Sequence, residues 1–158
     1  MNIIFYILGG WFIYHSIEHF LHRFSHNSKS GYIYKIHKKH HTIYYPTSSL
    51  MSDGYKTGYT YCIPDGLLAQ GPPSVMIIIT FYFLLDYNSF LILSSYILFF
   101  AYISDYFHTH IHTENTWLGE YSWFIKMREI HFNHHKNTTK NFNIIDMNID
   151  KLMKTYNY

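Results

Sequence analysis

The chain has 158 residues, room for one domain and no accessory module. Charged residues make up 14%, against about a quarter in soluble domains, and apolar residues 48%. A net charge of +2 with no basic, aromatic-interleaved patch argues against a nucleic-acid partner, and a lone cysteine, Cys62, excludes intrachain disulfides and thiolate metal clusters.

Three apolar stretches organise the sequence. The first, Ile3 to Leu21, contains Gly9-Gly10 and turns polar at His15, Glu18 and His19. A cleaved leader is an alternative for these residues, but a basic start and a small-residue cleavage site are lacking. A histidine pair, His22 and His26, follows directly. Residues 31–41 read as a glycine-started helix bearing His37, His40 and His41. The second stretch, Val75 to Leu85, follows Pro72-Pro73, which are expected to start its helix, giving a segment at 73–86. Asp86-Tyr87-Asn88-Ser89 is the expected turn of a hairpin, and the third stretch, Phe90 to about Phe107, is its return arm at 89–107. His108 and His112 end that arm. A helix from Leu118 to Lys136 carries His131, His134 and His135.

A membrane span needs roughly 20 helical residues. The third stretch is long enough, the first is if its polar end meets protein, and the second needs its flanks. All twelve Lys and Arg lie in 23–56 or 126–154, so an outside N-terminus, one inward span and a hairpin would put them all on the cytoplasmic side. The expectation is an all-α integral membrane protein, multi-pass, with a cytoplasmic helical layer above the spans. A soluble protein with buried helices is the alternative. The 21% of aromatic residues suits a lipid–water boundary, but an AT-rich genome enriches Tyr and Phe as well.

Ten of the thirteen histidines thus fall into four clusters at 22–26, 37–41, 108–112 and 131–135, spaced H-x3-H, H-x2-HH, H-x3-H and H-x2-HH. Spacings of three and four place imidazoles on one helix face, where they can share an ion. Neutral imidazole suits iron, zinc, copper or nickel and argues against magnesium and calcium. Ten nitrogen ligands suit two metals with about five each.

Box by box, the chain resembles the fatty acid hydroxylase / sterol desaturase superfamily of membrane-bound histidine-box dimetal oxygenases. Glu18 one turn before the first box, Arg23 inside it and Pro46 after the second are similar too. So is the tail Asn141-Phe142-Asn143 with Asp150-Lys151-Leu152-Met153-Lys154-Thr155-Tyr156, except that Asn143 and Lys154 stand where the family has glycine and Ile149 where it has tryptophan.

The resemblance implies membrane helices capped by a helical layer holding two metals, with iron expected and zinc an ion the isolated protein could carry. It implies that O2 and two electrons are used to hydroxylate or desaturate a C–H bond of a membrane lipid: a fatty acid, sphingolipid or sterol. Metal ligation is expected of His22, His26, His37, His40, His41, His108, His112, His131, His134 and His135. Glu18, Asp105 and Glu129 are candidates to orient the imidazole N–H groups, and His19 and His110 are candidate extra ligands. Lacking haem, flavin or iron–sulfur motifs, the chain needs an external electron donor of the cytochrome b5 or ferredoxin type. In a eukaryote the expected membrane is the endoplasmic reticulum. A carotenoid hydroxylase is the nearest alternative, and a non-enzymatic membrane metal-binding or transport protein the alternative from another class.

Overall fold

In the computed structural model, residues 3–56 and 65–158 are described; Cys62 lies outside them. Among the described residues the protein is all-helical, with no strand. Its order is α1 (Ile3–Ser25), a 3-10 turn at Ser28–Ser30, α2 (Tyr32–Lys39) running into a π-turn at His40–Tyr44, α3 (Asp65–Leu84), α4 (Tyr87–Ile111), a 3-10 turn at Trp117–Glu120, α5 (Ser122–Lys136) and α6 (Asn148–Leu152).

Helices α1 and α4 lie side by side and run the same way. Tyr6 Oη meets Ser89 Oγ at 2.8 Å near their starts, and Ser104 Oγ donates to Glu18 Oε1 towards their ends. Between these contacts Gly10 lets α1 approach the ring of Tyr96, where an added Cβ would stand 3.0 Å from the ring carbon Cγ. This alignment brings the histidines that end α1 and α4 to one end of the molecule. Helix α3 precedes α4 through a tight connection in which Asp86 accepts a hydrogen bond from Ser89 N, 3.1 Å away, and so caps α4. The turn is therefore Leu85-Asp86, shorter than the expected 86–89, because that cap lets the helix begin at Tyr87.

Two other boundaries differ from expectation. Pro72 and Pro73 lie inside α3, which already begins at Asp65. The apolar residues before them continue the helix, at the cost of the two backbone donors that proline lacks. The expected helix from Leu118 to Lys136 is broken at Tyr121, whose backbone is extended between the 3-10 turn and α5.

Among the described residues one helix, Tyr87–Ile111, is long and apolar enough to cross a membrane, and little of its apolar stretch is buried. The apolar part of α3, Gly71–Leu84, is shorter than a span. In α1 the N-terminal half exposes Ile4, Phe5, Leu8 and Phe12, while Tyr14, His15, Glu18 and His19 are buried against protein. The exposed apolar surface continues over Met76, Phe83 and Leu84 of α3 and Phe99 and Tyr102 of α4.

The box end has its own core, Ile111, Leu118, Phe124, Met127 and Ile144. Arg128 locks α5 across the end of α4 by donating to the carbonyls of His110 at 3.1 Å and Thr113 at 3.0 Å.

Candidate metal centre

Nine of the ten box histidines converge into two groups. His22, His26, His37, His41 and His134 form one, site A; His40, His108, His112 and His131 form the other, site B. Within each group the ligand nitrogens lie within 4.8 Å of one another. His135 stands at the junction, grouped with His40 and His41 and with its Nε2 3.2 Å from His131 Nε2.

Helix geometry explains the division. Neighbouring residues on a helix point about 100° apart, so the two members of each His-His pair face different sides, His40 and His41 meeting only at the junction with His135. His40 joins site B and His41 site A; His134 joins site A and His135 borders site B. The flanking members His37 and His131 lie one turn before His41 and His135 and share their sides. Each H-x3-H pair, lying one turn apart, stays together: His22 with His26 in site A, His108 with His112 in site B. The sequence repeat therefore produces two sites that exchange one histidine between halves. The π-turn at His40–Tyr44 sits at this exchange, in keeping with such widened turns at functional positions.

Backbone carbonyls orient four of the rings. His22 Nδ1 faces Phe142 O at 2.5 Å and His134 Nδ1 faces Lys140 O at 2.6 Å. His112 Nδ1 faces Leu50 O at 2.7 Å and His135 Nδ1 faces Tyr45 O at 3.0 Å. A carbonyl only accepts, so each of these Nδ1 atoms carries the proton and each Nε2 presents a lone pair. The loop after the second box thus serves site B, and the loop after the fourth serves site A. The first loop is pinned to α4 by Ser52 N donating to His112 O at 3.0 Å and Glu114 N to Ser52 O at 3.0 Å.

Those lone pairs converge on other imidazoles. His26 Nε2 lies 3.0 Å from His134 Nε2 and 2.8 Å from His37 Nε2, and His41 Nε2 lies 3.0 Å from His37 Nε2. In site B, His112 Nε2 and His131 Nε2 are 3.1 Å apart. Imidazoles sharing a metal at ordinary bond lengths hold their nitrogens about 2.9–3.4 Å apart. His22 Nε2 and both nitrogens of His40 are buried and make no hydrogen bond to protein. A shared cation satisfies buried lone pairs aimed at one another, so the residues present fit metal ions.

Burial also keeps the rings neutral, as ligation requires. It holds His26 down to about 3, aided by the charge of His22, and His135 to about 4 despite the Tyr45 carbonyl, which pulls upward. His37, His40, His41, His112, His131 and His134 are pushed well below the ordinary imidazole value by burial and by the neighbouring histidines.

The remaining candidates are placed as follows. His19 is outside both groups; its Nδ1 lies 3.2 Å from Asp150 Oδ1. His110 turns away from its neighbours in the box, as alternate helix positions must, and its Nδ1 meets Thr116 Oγ1 at 2.7 Å. Glu129 is exposed, because it lies two positions and about 200° around α5 from His131. Asp105 is partly buried on α4, one turn before His108. Glu18 is fully buried but contacts no box histidine: it accepts from Ser104 Oγ, from Asn143 Nδ2 at 2.9 Å and from Tyr14 Oη at 3.4 Å, with His15 Nδ1 at 3.3 Å. Orientation by a directly bonded carboxylate is thus replaced, at four rings, by orientation from carbonyls.

Sequence reasoning missed those carbonyls, and with them Asp150. Completely buried, Asp150 accepts from Phe142 N at 2.9 Å, Asn143 N at 2.8 Å and Thr155 Oγ1 at 2.7 Å. Burial pushes its carboxyl upward, but His19 and these donors outweigh burial and hold it below the ordinary value. The tail resemblance was the available signal. Lys154, where the family has glycine, takes φ 57°, a left-handed conformation that glycine adopts without strain. Asn143, at the other such position, uses its amide to reach His15 O at 2.8 Å.

No family model, no curated protein and no solved structure matches the chain. The likeness to histidine-box oxygenases rests on the motifs alone.

Proposed function

We propose that this protein is a membrane-bound oxidoreductase of the fatty acid hydroxylase / sterol desaturase type, with two metal ions, iron by preference, in sites A and B. One observation carries the reading: largely buried histidines gather their ring nitrogens into two main groups within 4.8 Å, four of the rings with protonation fixed by carbonyls. Together with the boxes and the tail, this supports an O2-dependent hydroxylation or desaturation of a lipid.

Bound iron would supply the O2 chemistry and C–H oxidation that no side chain performs. The chain's own contribution is different. The imidazoles would hold the two ions, and the carbonyls of Tyr45, Leu50, Lys140 and Phe142 fix which nitrogen each ring offers. The exposed apolar faces of α1, α3 and α4 support a multi-pass arrangement with the boxes at the cytoplasmic end, where a lipid can approach from the bilayer. Exposed Lys35, Lys38, Lys39 and Lys136 offer a basic surface for an acidic electron donor of the cytochrome b5 or ferredoxin type.

The test is metal analysis of the purified protein, with lipid profiling of cells expressing it or a His40→Ala/His134→Ala variant. Two metals per chain and a lipid product lost in the variant are expected. Metal without a lipid difference would favour a metal-binding protein that is not an enzyme, and a chain that binds no metal would remove the reading.

A further inference from the structure

We infer that Asp150 is a positioning residue for site A, acting on His22 through the peptide bond between Phe142 and Asn143. That peptide group is engaged at both ends: its N–H donates to Asp150 Oδ2 at 2.8 Å, and its carbonyl accepts from His22 Nδ1 at 2.5 Å. Hydrogen bonds in a chain polarise one another, more so in a low-dielectric interior. A buried carboxylate on the N–H makes the carbonyl a stronger acceptor, which draws on the His22 Nδ1 proton and raises the electron density at Nε2. Metal-ligating histidines donate to a carboxylate, a backbone carbonyl or water; here a carbonyl receives His22 and a carboxylate stands one peptide unit beyond it.

The carboxylate is built for this position. Oδ1 receives Phe142 N and Thr155 Oγ1, and Oδ2 receives Asn143 N, so the tail loop folds around it. The same loop presents Lys140 O to His134, so Asp150 shapes the backing of two site A rings. At site B the carbonyls of Leu50 and Tyr45 come from the loop after the second box, and Asp150 contacts neither of their peptides. The two otherwise similar sites therefore differ in basicity: the Asp150 link strengthens site A alone.

The inference rests on the two-metal reading. Its test is metal titration of the full-length protein in detergent with cobalt(II), read by visible absorption and by metal analysis, alongside thermal melts. His26→Ala and His108→Ala supply reference spectra for a chain lacking site A and site B. Asp150→Asn is expected to stay helical and to weaken one site by about 10–100-fold, leaving a spectrum like that of His26→Ala. Thr155→Val separates relay from scaffold: it removes a competing donor from the same carboxylate, so the melting temperature falls while site A affinity is kept or tightened. A folded Asp150→Asn that binds both ions as wild type does, or loses affinity equally at both, overturns the inference. So does a Thr155→Val whose site A affinity falls in step with its stability, and this second result decides even if Asp150→Asn fails to fold. Wild type binding no cobalt removes the two-metal reading and the relay together, whereas two ions bound with equal affinity by wild type and Asp150→Asn remove the relay alone.

Discussion

The adjacent glycines of α1 allow a paired test of the helix alignment on which the centre depends. A Cβ at Gly9 meets nothing within 4 Å, whereas a Cβ at Gly10 would stand 3.0, 3.1 and 3.3 Å from three carbons of the Tyr96 ring. That ring cannot recede cheaply, since it stacks on Phe100 at 4.4 Å and Phe100 in turn packs on Tyr14. Gly9→Leu should therefore collect only the helix-propensity gain, up to about 1 kcal/mol. Gly10→Leu collects the same gain but incurs about 1–3 kcal/mol of overpacking. The propensity part cancels in the comparison, so a difference near 2 kcal/mol is expected, or about 4–8 °C in Tm for a chain of this size. Gly10→Leu should also lose metal from site A, because moving α1 displaces His22 and His26 from His37, His41 and His134. Thermal melts of the two variants in the same detergent, with metal analysis, provide the assay. Equal melting temperatures would refute the close packing of α1 on α4.

The metal-free protein should be acid-labile. Its folded histidines stay neutral down to about 3 at His26 and about 4 at His135, while an unfolded chain takes up protons below about 6.5. Stability is thus complete above that value and is lost as pH falls towards 4, by about 1.4 kcal/mol per pH unit for each such histidine. Denaturant melts of chelator-treated protein at pH 7.5 and 5.5 check this; identical midpoints would contradict it. Glu18→Ala strands buried Asn143, Ser104 and Tyr14 groups and should cost about 3 kcal/mol or more, whereas exposed Glu129→Ala should stay within about 0.5 kcal/mol; comparable losses in thermal melts would reverse these assignments. His110→Ala should keep both metals while His26→Ala and His108→Ala each lose one, and metal loss in His110→Ala would make it a ligand after all.

Much of the centre was legible because helix periodicity acts within a few residues. H-x3-H and H-x2-HH place imidazoles one turn apart whatever the rest of the chain does. The breaks at Asp86 and Tyr121 were not legible to the residue, because a cap or an extended residue moves a boundary without altering the apolar pattern. Glu129 shows the limit of proximity in sequence: two positions along a helix is the far side of it. The carbonyl supports were hidden for another reason. Every residue has a carbonyl, so Phe142 and Leu50 carry no side-chain mark of their role.

Sequence alone determined the ligand chemistry, since ten regularly spaced imidazoles with one cysteine in the chain admit only a nitrogen-rich site, and local helix geometry decides which neighbours share a face. Tertiary structure alone decided how the box histidines gather into groups that could hold metal. The parallel packing of α1 and α4 brings distant boxes to one end, and the 100° divergence of each His-His pair sends one member to either side. It also decided what holds the rings: carbonyls 120 and 62 residues away in the chain from the histidines they hold cannot be read from local pattern, because only the folded chain brings Phe142 to His22 and Leu50 to His112.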